Sequence, residues 1–130
     1  MIASLPQNAK VFLALGAVFA FVAVALGAFG AHGLKERLAP EMLAIWKTGV
    51  EYHVYHALGL LAAGLLAIHL PGSAPLRASG WLMAAGIVVF SGSLYALALT
   101  GVRMLGAVTP LGGLAFLAAW VLFAVAVLKK

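Results

Sequence analysis

Residues 11–31 read VFLALGAVFAFVAVALGAFGA, a run from Val11 to Ala31 without one charged side chain. As an α-helix rising about 1.5 Å per residue, the run covers about 31 Å, which is one bilayer crossing. Lys10 before it and small residues near its end give it the outline of a secretory signal, but it exceeds the apolar core of such a signal, about 7 to 15 residues. The rest of the chain has the same character: 65% of its 130 residues are hydrophobic, 8% are charged and the mean hydropathy is +1.15. A single core of this size cannot hide so much apolar surface, so lipid must cover the remainder.

Three further runs follow. Glu51 to Leu70 is polar in its first two turns and then purely apolar, and it stops at Leu70-Pro71-Gly72-Ser73-Ala74-Pro75, where two prolines and a glycine cannot continue a helix. Ala78 to Thr100 comes next, with Gly101 placed to close it in the left-handed conformation. Met104 to Leu128 runs into Lys129 and Lys130, cations suited to a helix C-terminus and a head-group layer. The expected architecture is therefore an all-α membrane protein, a four-transmembrane-helix bundle in one integral membrane domain over residues 1–130, with spans of about 11–31, 51–70, 78–100 and 104–128. Thr109-Pro110-Leu111-Gly112-Gly113 is expected to interrupt the fourth span, as a kink or as an opening.

Between the first two spans, Leu34, Leu38, Met42, Ile45 and Trp46 fall at helical spacing among charged neighbours. This predicts an amphipathic connector, helical from about Pro40 and anchored by Trp46, that lies at the interface or bends at Gly49 into the second span. His32-Gly33 reads as the end of the first helix, with Gly33 as a left-handed cap.

The formal charge of +5 comes from short connections and not from a basic patch, so it points to membrane surfaces and not to nucleic acid. There is no cysteine, which excludes disulfides and thiol chemistry. Four crossings put both termini on one side. Lys10, Arg77, Lys129 and Lys130 on that side balance Lys35, Arg37, Lys47 and Arg103 on the other, so the positive-inside count ties. The paired terminal lysines and the lack of acids on their side favour cytoplasmic termini in a cell inner (plasma) membrane.

The polar residues are distributed unevenly in depth. Counting helix rise inward from the end that carries the first and third connections brings His32, Tyr52, His53, His56, Ser91, Ser93, Tyr95 and Thr109 into one leaflet, a candidate polar pocket. Lys47, Glu51 and Arg103 lie at its rim, where Glu51 is expected to pair with Lys47 or Arg103. His53 and His56 point about 60° apart on a helical wheel, with Glu51 turned away from His56. A metal at this pair would need further ligands such as His32, and zinc catalysis normally takes three from the protein. The histidines can instead hold helices in register or bind a proton or small ligand. No metal, cofactor or catalytic residue set is assigned. Membrane lipids are the expected partners, with a homo-oligomer or larger membrane complex formed through the Gly-rich faces around Gly16, Gly27 and Gly30.

Four segments carry a likeness as well: Gly27-Ala28-Phe29-Gly30-Ala31-His32-Gly33-Leu34, Thr48-Gly49-Val50-Glu51-Tyr52-His53-Val54-Tyr55-His56-Ala57-Leu58, Phe90-Ser91-Gly92-Ser93-Leu94-Tyr95 and Thr109-Pro110-Leu111-Gly112-Gly113. In order and spacing the chain resembles the domain of unknown function 423 family, the small YgdD-like bacterial inner-membrane proteins, which have a eukaryotic relative called transmembrane protein 256. The resemblance implies four membrane helices in the inner membrane and carries over no catalytic residue. On these readings the protein is a structural or accessory membrane component, or one that binds or moves a small solute, lipid or proton through the polar pocket.

Overall fold

The computed structural model describes residues 4–129; Lys130, half of the expected terminal lysine pair, lies outside them. Among the described residues four helices are long and apolar enough to cross a membrane: α1 (Gln7–His32), α2 (Pro40–His69), α3 (Ala74–Thr100) and α4 (Arg103–Leu128). The protein is an all-α membrane protein built as a four-helix bundle. α1 packs along α2, α4 packs along α3, and α2 and α3 meet in the middle. The difference in burial follows from this order, with 44% of the apolar window buried in both α2 and α3 but 17% in α1 and 22% in α4. The outer helices give their remaining apolar surface, including Phe21, Val24, Leu117 and Val121, to lipid.

Local chemistry sets the helix ends. Pro40 opens α2, where its missing N–H costs nothing. Ser73 caps α3 by accepting from the Leu76 N–H at 3.3 Å, so this helix starts at Ala74 and not at Ala78. Gly101 closes it with φ +71°, as its position predicts. Gly33 does not follow the same rule. Its φ is −72°, in the right-handed region, so it makes no left-handed turn, and a side chain there would meet the Phe29 ring.

The amphipathic stretch before the second span is continuous with it. α2 runs unbroken through Gly49, so its 30 residues extend about 45 Å, longer than the roughly 30 Å of hydrocarbon. Trp46 is no head-group anchor. Only 2% exposed, it donates its Nε1–H to the Leu26 carbonyl of α1 at 3.0 Å and lies against Gly30, where a Cβ would collide with it. Pro110 likewise does not kink a helix already under way. α4 opens as a 3-10 turn over Arg103–Ala107, and the α-helix proper begins at Thr109 with Pro110 in its first turn.

α3 contains one wide turn, a π-helical segment at Ile87–Ser91 in which the Gly92 N–H reaches back to the Ile87 carbonyl. Such a turn adds one residue and advances every later side chain by about 100°. Ahead of it, Leu76 and Met83, with Ile87 at its first position, join Phe12, Leu60 and Phe116 in an apolar core. At its last residue and beyond it lie Ser91, Ser93 and Tyr95.

A lateral groove and three polar links between helices

Three hydrogen-bonded links hold the polar end together, and each joins a different pair of helices. Between α2 and α3, Ser91 donates its hydroxyl to the Gly49 carbonyl at 2.6 Å, and Tyr95 Oη meets His53 Nδ1 at 2.8 Å. Between α3 and α4, Ser93 and Thr109 share a hydrogen bond of 2.6 Å, while Ser93 Oγ also lies 2.9 Å from the Phe90 carbonyl. Ser93 donating to that carbonyl and accepting from Thr109 satisfies both hydroxyls. Between α2 and α4, Trp120 donates its Nε1–H to His56 Nε2 at 3.0 Å.

The His56 ring is fixed in one form by its neighbours. Its Nδ1 lies 2.7 Å from the Tyr52 carbonyl, which can only accept, so Nδ1 carries the proton. Its Nε2 faces an indole N–H, which can only donate, so Nε2 accepts. The imidazole is thus neutral and fully used, and its ring stacks on Phe116 with centroids 3.5 Å apart. His53 is different. It is 3% exposed, with its ring edge-on to Phe19 of α1, and its Nε2 has no hydrogen-bond partner among the described residues.

The sequence places eight side chains in one pocket, and the structure divides them. His53 and Tyr95 lie on the α2–α3 side, Ser93 and Thr109 lie between α3 and α4, and His56 looks toward α4. Ser91 meets a backbone carbonyl, and Tyr52 supplies a ring wall and a carbonyl. His32 stands exposed at the end of α1 and enters none of these bonds. Among the described residues no three His, Asp or Glu side chains come together as a metal site. The expected rim pairing also changes: Arg103 bonds Glu41 at 3.2 Å, and Glu51 accepts the Tyr55 hydroxyl at 2.8 Å. That ion pair is the one found among the described residues, and Lys47 stands exposed one turn before Glu51.

Trp120 is the partner that depth counting misses, because the fourth apolar run has no polar residue at that level and an indole there reads as filler. Ser79 is missed for the opposite reason. It lies toward the other end of α3, fully buried, donating to the Ala119 carbonyl at 2.7 Å, outside the leaflet in which depth counting gathers the polar residues.

Beside the links is a hollow. Because α1 covers one side of α2 and α3 separates α2 from α4, a groove of about 720 Å³ opens laterally between α2 and α4. Tyr52 and Tyr55 form its α2 wall, Gly113, Leu117 and Trp120 its α4 wall, and His56, Phe90 and Phe116 its back. A smaller hollow of about 450 Å³ lies at the opposite end, between the α2–α3 turn and the end of α4.

A small all-helical membrane protein with a polar end and a side-opening groove is the class that these features define. The family described as "Protein of unknown function (DUF423)" matches residues 26–113, which contain all three links except the Trp120 indole. The chain is 54% identical over 120 residues to the UPF0382 membrane protein YwdK of Bacillus subtilis, covering 92% of this chain and 98% of that one. It is 49% identical over 122 residues to a UPF0382 membrane protein of Staphylococcus epidermidis, covering 92% and 97%. For a third, from Staphylococcus saprophyticus, the identity is 46% over 122 residues, with 92% and 98% covered. The chain belongs to the DUF423 family. No solved structure matches it.

Proposed function

We propose that this protein is a multi-pass protein of the inner membrane, with cytoplasmic termini, that binds an apolar or amphiphilic membrane molecule in the α2–α4 groove. The observation that carries this reading is the groove itself: its volume lies in the range of small-molecule sites, and its walls are mostly aromatic and aliphatic. The polar links support it indirectly. Their hydrogen-bonding groups are largely spent on one another, so they act as a frame that holds α2 and α4 apart at a set distance. Self-association has less behind it, because Gly16, Gly30 and Gly64 give their close approaches to Leu61, Trp46 and Leu13 of the same chain.

Gly113 offers a direct test. A Cβ there meets nothing closer than 3.9 Å, so the backbone tolerates a side chain, and Gly113→Leu would carry one into the groove that Gly113 lines. Protein released from lipid nanodiscs into native mass spectrometry should carry a bound lipid, and Gly113→Leu should carry it at least several-fold less. Equal retention by the two would overturn the reading. For orientation, an enzyme reporter that works only outside the cytoplasm, fused after Lys130, should stay silent; activity there would place the termini outside.

A further inference from the structure

The groove has an electrically marked entrance. Lys47, Glu51 and Tyr55 follow one another at four-residue intervals, so they form a stripe along one face of α2. Tyr55 lines the groove, its hydroxyl donates to Glu51, and all three side chains are exposed. Among the described residues neither charge is neutralised by an ion pair, since Arg103 is held by Glu41. Their depth is set by the opposite end of the helix. Measured from His69, Tyr55 lies about 21 Å, Glu51 about 27 Å and Lys47 about 33 Å along α2, against a hydrocarbon thickness of about 30 Å. The two charges therefore straddle the boundary between acyl chains and head groups, with the groove directly below. From Pro110 to Trp120 the α4 wall runs about 15 Å, the depth of one leaflet.

Resting on the groove as a binding site, we infer that its occupant is a zwitterionic phospholipid with a primary-amine head group. One acyl chain lies between α2 and α4 and the head group lies flat across the entrance, so that Lys47, its long side chain reaching down the helix, meets the phosphate while the ammonium that follows it meets Glu51 beside the Tyr55 oxygen. A primary ammonium has three N–H donors for the carboxylate and the phenol oxygen. A quaternary choline has none. A glycerol head group leaves its phosphate charge unbalanced beside Glu51. The overall charge of +5 draws anionic lipids to the surface generally, so a preference for the neutral amine lipid would report this site and not the protein's field.

The experiment is competition binding by native mass spectrometry, with dioleoyl lipids that carry ethanolamine, glycerol or choline head groups. The wild-type protein should retain the ethanolamine lipid about fivefold over each of the others, the scale of one charge-assisted contact at an interface. Glu51→Gln should bind comparable total lipid with that preference reduced to near unity. Gly113→Leu should lose all three lipids alike. If the wild type fails to prefer ethanolamine, or Glu51→Gln keeps the preference, the head-group assignment is wrong while the groove stands. If Gly113→Leu binds all three as well as the wild type does, the groove itself is wrong.

Discussion

Gly112→Ala should lower the unfolding free energy in detergent or bicelles by more than about 2 kcal/mol, while Gly113→Ala, one residue on, should cost nothing. The contrast comes from what a Cβ would touch. At Gly112 it would meet the backbone nitrogen and Cα of Phe90, atoms that no rotamer change can move aside. α3 and α4 would have to separate where the wide turn of α3 presses on the first turns of α4. At Gly113 the nearest atoms are the Phe90 ring carbons, 3.9 Å away, and alanine also gains helix propensity worth up to about 1 kcal/mol. Steric-trap or denaturant unfolding of the two variants side by side checks this. Equal midpoints would mean that the two helices do not approach as closely as described.

Trp120→Phe should cost about 1–2 kcal/mol, and most of that should disappear in the double variant with His56→Leu. Phenylalanine keeps an aromatic wall but removes the one donor that His56 Nε2 can accept from. The imidazole cannot compensate by changing tautomer, because Nδ1 would then lose its proton facing the Tyr52 carbonyl. A buried acceptor is left without a partner, and that penalty is the main part of the expected loss. Replacing His56 as well removes the demand. A double-mutant cycle reads the coupling, and strictly additive costs would show that the indole and imidazole are not bonded.

The features that the sequence carries best are those with one dominant physical cause. Runs such as Val11 to Ala31 need lipid and a helix to satisfy their backbone, so the four-helix architecture is readable from length and hydropathy. Gly101 and Pro40 announce helix ends through restrictions local to single residues. The polar residues are harder, because helix rise gives depth but not direction around the bundle. His53 and His56 sit at nearly one level yet serve different neighbours, α3 and α4, since three residues turn a helix by about 300°. Ser91 and Ser93, two residues and so about 200° apart, reach α2 and α4 respectively, and the wide turn at Ile87–Ser91 adds an offset to the helix that no count of hydrophobic period contains. Trp46 shows the same limit: its indole fits the boundary belt by composition, and only the missing Cβ of Gly30 makes room for it inside.

Phe90 belongs to two structures at once. It forms part of the back of the groove, and it is the fourth residue of the five-residue wide turn whose last residue, Ser91, holds α3 to Gly49 of α2. A molecule in the proposed site would rest on that ring, and so on the one stretch of α3 whose winding departs from the ordinary pitch. The wall of a surface groove and the joint between the two central helices are thus neighbours in one five-residue turn.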